Sequence, residues 1–322
     1  ISVVIMRAFM MYCNIFFKFF SCNLTQMFHI YFRVNKKGRK MFAKKFLKKE
    51  VFDNYDDYIQ NATPIVPENF NFGFDIVDEW ARLEPEKMAL VWCNDHGDER
   101  ILTMRDISRE SSQIANWFKS LGICKGDVVM LIMCRHYRYW EVIMALHKIG
   151  AIAIPASNLL QPHDINYRVE AANVKMIVTS NNEHVIASVS EAQAKTPVPF
   201  LVNCGCPSQD GWLNLDDEMA SFPDFFARPT GDEATCNSDA MLCYFTSGTT
   251  GNPKICRHNF LYPFGHILTA RYWQHCMPGG LHFTLSDTGW AKAAWGKLYG
   301  QWLCEACVFT YDFDRFNADN LL

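Results

Sequence analysis

The amino-acid sequence predicts an α/β fold of mostly parallel sheets flanked by helices. Three observations carry that prediction. Residues 128–133, 151–154 and 241–245 are strand-length runs with no polar face. Between such runs, apolar side chains recur at helical spacing, as at Ile107, Ile114, Ala115, Phe118 and Leu121. Glycines stand where the helices should stop, at Gly122 and Gly150. A strand that is apolar on both faces needs cover on both sides, and helices around a parallel sheet supply it.

Along the chain, Ile76, Val77, Trp80 and Leu83 share one helical face. Residues 89–93 and 100–103 read as two strands around a turn at His96 and Gly97. Thr103 followed by Asp106 is a helix start with an acidic first turn. The strand at 128–133 leads to a helix at 139–149, then to a strand at 151–154 that Pro155 should stop. A short helix at 164–172 precedes a strand at 176–179, and 200–202 offers another. Residues 205–233 are polar, with Gly, Pro and Asp, and read as a surface excursion. The run at 241–245 goes straight into a glycine-rich segment.

The chain has 322 residues, 49% hydrophobic and 20% charged, which is material for one large domain or two ordinary ones. Its net charge of −3 hides an asymmetry. The first 49 residues hold 11 basic side chains and no acidic one, while the rest holds 20 basic against 34 acidic. An acidic body without a basic stripe argues against nucleic acid as a partner. The 13 cysteines are scattered, and Cys204 and Cys206 are too close for a zinc-type pair. They read as reduced thiols, with no metal site, in a cytoplasmic setting or, alternatively, the mitochondrial matrix.

Residues 1–32 are apolar and rich in Phe and Met. Arg7, Lys18 and Arg33 bracket two uncharged runs, 8–17 and 19–32, each short of the ~20 apolar residues a membrane span needs. The basic start of a secretory signal and the Ser-rich amphipathic pattern of a transit peptide are both missing. Residues 1–40 are therefore expected to be a non-native or disordered leader, with Met41 as the true start and 41–322 as the folded part. Lys36, Lys37, Gly38, Arg39 and Lys40 precede Met41 as a purine-rich ribosome-binding stretch read in frame would. Peptide mapping that recovered residues 1–40 from the mature protein would sink this expectation. Residues 44–49 read as a short basic helix start.

The chemistry-bearing segment is Thr246, Ser247, Gly248, Thr249, Thr250, Gly251, Asn252, Pro253 and Lys254, directly after a predicted strand. Glycines let the backbone turn tightly and approach a ligand. Free N–H groups in such a turn form an anion-binding concavity. Four hydroxyls add donors and Lys254 adds a point charge, so the segment suits a polyphosphate. It is not the P-loop of nucleoside triphosphatases, in which Lys directly follows Gly and opens a helix. Here Asn252 and Pro253 intervene and Ile255 follows. The bland alternative is an ordinary polar turn after a strand.

Tyr244 to Lys254, Y-F-T-S-G-T-T-G-N-P-K, resembles the phosphate-loop signature of the adenylate-forming superfamily. A second block, Thr284, Leu285, Ser286, Asp287, Thr288, Gly289 and Trp290, resembles the D-x-G-W block of acetyl-CoA and medium-chain acyl-CoA synthetases. Gly126-Asp127-Val128-Val129, Tyr139-Trp140-Glu141 and Gly150-Ala151 look like the upstream part of that group. The resemblance runs from about Asp75 to the end.

That resemblance implies the N-terminal portion of the large adenylate-forming domain, with the small C-terminal domain absent from this chain. It implies an ATP-dependent acyl-CoA synthetase for a short- or medium-chain acid, using ATP, Mg2+ and coenzyme A. Carboxylate and ATP give an acyl-adenylate and pyrophosphate, and the CoA thiol then gives the thioester and AMP. By carry-over, Thr246, Ser247, Gly248, Thr249, Thr250 and Gly251 would hold the β- and γ-phosphates, and Lys254 would neutralise them. Trp290 would line the acyl pocket, unless it is a helix-start or core aromatic. Asp287 would orient the site or, on the Ser-Asp-Thr pattern, cap a helix. His258 is a weaker neighbour of the loop. Trp273, Trp295, Tyr299 and Trp302 read as packing. The family's later adenine, ribose and hinge blocks are not found, so the chain is expected to be a fragment that is inactive alone. The alternative is a non-catalytic nucleotide-binding remnant of the same fold.

Overall fold

The computed structural model describes residues 45–246 and 251–318. The leader expected at 1–40 and Met41 lie outside the described residues, as do Ser247, Gly248, Thr249 and Thr250. In chain order the elements are α1 (Tyr55–Asn61), α2 (Glu79–Leu83), β1 (Met88–Asn94), β2 (Glu99–Thr103), α3 (Met104–Ser120), β3 (Val128–Ile132) and α4 (Arg138–Ile149). There follow β4 (Ile152–Pro155), α5 (Pro162–Ala172), β5 (Val174–Thr179), α6 (Glu183–Gln193), β6 (Phe200–Asn203), β7 (Leu213–Asn214) and α7 (Leu215–Met219). The last are β8 (Ala240–Thr246), β9 (Lys254–Asn259), α8 (Tyr262–Leu268), β10 (Leu281–Phe283), α9 (Ala291–Gly296), α10 (Tyr299–Leu303) and β11 (Cys307–Asp312).

The strands form two sheets. The larger has the order β7-β6-β5-β3-β4-β8-β9 and the smaller β10-β11-β1-β2. Pairing is parallel throughout, except for the hairpins β8–β9 and β1–β2. Helices α5 and α6 cover one face of the larger sheet, where Ile165, Val169, Val185 and Val189 meet Met130, Ile132 and Ile177. Helices α3, α4, α8 and α10 lie between the two sheets and share one core with Val129 and Leu131 of β3, Leu90 of β1 and Val308 of β11. This is the mixed α/β architecture that the two-faced apolar strands predict.

Local chemistry accounts for the main boundaries. Thr103 and Asp106 form a reciprocal capping box at the start of α3. Helix α4 is buried from Tyr139 to Ile149, as a helix between two sheets must be. It stops at Gly150, in the left-handed region with φ 84°. Its buried polar ends are partnered: Lys148 Nζ meets Asp78 at 2.7 Å, and the Glu141 carboxyl meets Arg138 at 2.6 Å.

Several expectations need correction. Leu83 is 44% exposed, although Ile76, Val77 and Trp80 are buried. The chain there begins as a π-turn at Gly73–Asp78, which rotates Leu83 off the apolar face. Pro155 ends β4 from within the strand, since its missing N–H costs nothing at a strand end. The polar stretch 205–233 is not all surface: it adds β7 to the sheet edge and buries Trp212, Leu215 and Met219. Residues 45–50 form no α-helix, because Phe46 and Leu47 turn inward and Leu47 bridges Pro64.

Candidate functional site

The carboxyl ends of β3, β4, β5 and β8 share one edge of the larger sheet, because these strands are mutually parallel. Open α/β sheets bind ligands along that edge. Thr246 is the last residue of β8, and Lys254, the first of β9, stands directly opposite it. The Thr246 hydroxyl donates to the Lys254 carbonyl at 3.4 Å. The ends of the glycine-rich segment are therefore clamped together. Gly251 has φ 101°, a conformation that favours glycine. Helix α5 braces the root: the Tyr167 hydroxyl donates to the Pro253 carbonyl at 2.9 Å, and Arg168 lies 5.1 Å from the centre of the Phe245 ring. Thr246 and Lys254 are both exposed.

The segment ending in Trp290 reaches the same edge from the other side. Thr288 donates through both its N–H and its hydroxyl to the Cys134 carbonyl, just past β3. Gly289 lies on the backbone just past β4, where a Cβ would come within 2.3 Å of the Ala156 carbonyl group. Only glycine permits that approach. Because β4 neighbours β8, the Trp290 segment and the clamped loop occupy adjacent strand ends. Trp290 is 60% exposed and is the residue before α9, without a side-chain cap.

Asp287 does not cap a helix. Its carboxylate accepts from the Gly289 N–H at 2.8 Å and from Arg135 at 3.2 Å, and α9 begins only at Ala291. The Ser-Asp-Thr pattern here closes a tight turn, which the same hydrogen-bonding tendency also favours. His258 faces Tyr262 and Tyr244, with ring centres 4.4 and 6.1 Å away, and burial lowers its pKa. It belongs to an aromatic cluster, not to the loop. Tyr299 and Trp302 pack as expected: Tyr299 bonds His147 at 2.7 Å and the Trp302 indole donates to the Ala89 carbonyl at 3.0 Å.

Three polar residues that sequence reasoning passed over complete the edge. Arg135 contacts Asp287, Asp312 at 3.6 Å and the Phe313 carbonyl at 2.5 Å. Lys297 is buried, and burial together with the Arg135 charge lowers its pKa to about 7. Burial raises Asp312 to about 6 and also raises Asp287. The available signal was a charged residue just after an apolar strand, as at Arg135 and Asp312. Beside them lies a cavity of about 520 Å³ lined by Trp92, Arg100, Arg135, His136, Asn158 and Phe313 among others. Cys304 and Cys307 also have C-x-x-C spacing, which the sequence reading missed. Both are buried free thiols that burial raises to about 12, a poor setting for redox or metal chemistry.

The family model described as AMP-binding enzyme matches residues 77–309, spanning both sheets and both strand-end segments. The chain belongs to the AMP-binding enzyme family. This family member is 33% identical over 284 residues to the rat (Rattus norvegicus) acyl-coenzyme A synthetase ACSM4, mitochondrial; the match covers 83% of this chain and 47% of that protein. It is 30% identical over 284 residues to the human (Homo sapiens) acyl-coenzyme A synthetase ACSM3, mitochondrial, covering 84% and 47%. The chain thus spans about half the length of these curated relatives. Among solved structures, the Brucella canis acyl-CoA synthetase superposes with a TM-score of 0.68 at 21% identity, covering 78% of this chain and 44% of that one. The anthranilate CoA ligase AuaEII, solved with anthranoyl-AMP, gives 0.67 at 22% identity, covering 77% and 46%. At that identity the two structures speak for the fold alone.

Proposed function

We propose that this chain carries the polyphosphate-binding and acyl-side part of an ATP-dependent, AMP-forming acyl-CoA synthetase. The observation that carries the reading is the clamp between Thr246 and Lys254 on the strand edge next to the Trp290 segment. A carboxylate is a poor electrophile, and adenylation gives it AMP as a leaving group. Its approach to ATP brings two anions together, which needs fixed donors and positive charge. The loop 246–251 supplies the donors, and Lys254 holds its charge at the β- and γ-phosphates. Trp290 presents an apolar wall to the acyl group.

Among the described residues no three His, Cys, Asp or Glu gather into a metal site. The chemistry of the loop fits Mg2+ carried on the phosphates, where it screens their charge. Coenzyme A is the second acceptor, its thiol replacing AMP on the acyl carbon. The substrate is a carboxylic acid, in keeping with relatives that are named acyl-coenzyme A synthetases, and a short- or medium-chain acid is the reading that the D-x-G-W resemblance favours. Those relatives are also named mitochondrial, which favours the matrix over the cytoplasm as the compartment. No helix among the described residues is long and apolar enough to cross a membrane.

The test is equilibrium binding of MgATP to the 322-residue chain, with pyrophosphate as competitor. Pyrophosphate-competed binding is expected; its absence defeats the reading. A hydroxamate trap with a panel of carboxylic acids then separates a catalyst from a nucleotide-binding remnant. Acid-dependent hydroxamate marks the catalyst, and binding without it marks the remnant.

A further inference from the structure

Lys297 links three parts of the fold through its backbone carbonyl and its side chain. Its backbone carbonyl accepts from the Trp140 indole of α4 at 2.9 Å. Its ammonium donates to the Ser286 carbonyl at 2.8 Å and to the Thr310 hydroxyl of β11 at 3.0 Å. Lys297 is 1% exposed and Thr310 fully buried. Both acceptors are neutral oxygens, so the ammonium is desolvated without a carboxylate among its hydrogen-bond partners. Its balance comes from Asp287 and Asp312, against Arg135 and, more weakly, Lys292. The Trp140 ring lies 5.8 Å from its nitrogen. The Asp287 charge also reaches Tyr139 of α4, whose phenol burial pushes up.

We propose that Lys297 is the positioning residue of the acyl-side segment: its charge holds Asp287, and through it Trp290, in place, and loss of its proton loosens that hold. The charge count explains why. Arg135 and Lys297 balance Asp287 and Asp312 only while Lys297 is an ammonium. The neutral amine can still donate to Ser286 and Thr310. Two carboxylates then face one guanidinium, and in a buried site that imbalance is strongly felt. Asp312 is fixed in β11, whereas Asp287 sits in a turn, so the turn is the part that yields. The low pKa of Lys297, about 7, places this event near neutrality. The proposal rests on the synthetase reading only where it makes Trp290 part of the acyl site.

The experiment follows Trp290 emission in the full 322-residue chain, taken as the difference from Trp290→Phe, across the neutral pH range. One step centred at about pH 7 is expected. It should vanish in Lys297→Met, which is never charged, and in Lys297→Arg, which is always charged. Asp287→Asn removes the anion through which the Lys297 charge acts and should abolish the step as well, so the test survives if Lys297→Met fails to fold. A pH-independent signal, or a step retained in Lys297→Arg, overturns the proposal. Octanoate added to the same samples separates the two readings. Quenching of Trp290 on the acid side of the step and its loss on the alkaline side supports both. A pH step with no octanoate response keeps the positioning role and counts against the acyl-site assignment.

Discussion

Thr288 directs two donors, its N–H and its hydroxyl, at the single carbonyl oxygen of Cys134, a residue 154 positions earlier in the chain. That double bond pattern, with Gly289 pressed on the Ala156 backbone, fixes the Trp290 segment to the strand edge. Thr288→Val keeps the shape and the N–H donor, so Cys134 retains a partner. The loss should be about 1 kcal/mol. Gly289→Ala has no such escape, because backbone lies where its methyl must go. It should cost roughly 1–3 kcal/mol or more. Urea unfolding midpoints of the two variants check the order.

Lys254 is exposed and opens β9 with its side chain free of ion pairs among the described residues. Lys254→Ala should therefore leave stability within about 0.5 kcal/mol of the parent. MgATP affinity should fall by about 1.5–3 kcal/mol, the worth of a hydrogen bond to a charged group, or roughly 10- to 150-fold in Kd. Lys254→Arg should recover much of it. Calorimetric titration reads both.

Trp290→Ala separates packing from recognition. With 60% exposure and no capping hydrogen bond, the side chain contributes little to the fold. Thermal midpoints should stay close to the parent while carboxylic-acid binding weakens several-fold. An equal loss of both would return Trp290 to the role of a structural aromatic.

Glu141 gives a pH prediction. It is fully buried against Arg138, which also serves Glu110 and Asp216. One guanidinium cannot balance three carboxylates, and burial raises Glu141 to about 8, from 4.5 ordinarily. The folded state therefore holds a proton that the unfolded state releases between those values. Stability from this group is complete below about pH 4.5 and declines as pH rises to about 8. Glu141→Gln mimics the protonated form and lacks that decline. Relative to the parent it should gain stability steadily across this window and gain no more above it. Denaturation at matched ionic strength over the range is the check.

The strand pattern was legible because strands buried on both faces leave an unambiguous apolar run, as at Val129 to Ile132. Helix ends were legible where a side chain makes the cap, as at Thr103, or where a left-handed glycine does, as at Gly150. Helix α6 went unread because its buried positions Val185, Ser188, Val189 and Ala192 are small and partly polar. The loop stood out in the sequence by its glycine and hydroxyl content, but the support around it was not legible. Tyr167, Arg135 and Lys297 act through tertiary neighbours distant in sequence, and local spacing carries no trace of them. The Asp287 error has the same root: one local preference serves both a cap and a turn, and only the position of Arg135 decides between them.

The smaller sheet places Leu90 of β1 directly against Val308 of β11. During synthesis the β1–β2 hairpin therefore leaves the ribosome long before its central partner exists. At ordinary elongation speeds of 5–20 residues per second, the wait is roughly 10–40 s. Through that interval the apolar edge formed by Leu90, Val91 and Trp92 has no strand to pair with, and an unpaired edge is a template for association. The larger sheet needs no such delay, since β3, β4 and β5 follow one another closely. Nascent chains should thus recruit holdase chaperones to the β1–β2 hairpin, and release them when β11 emerges.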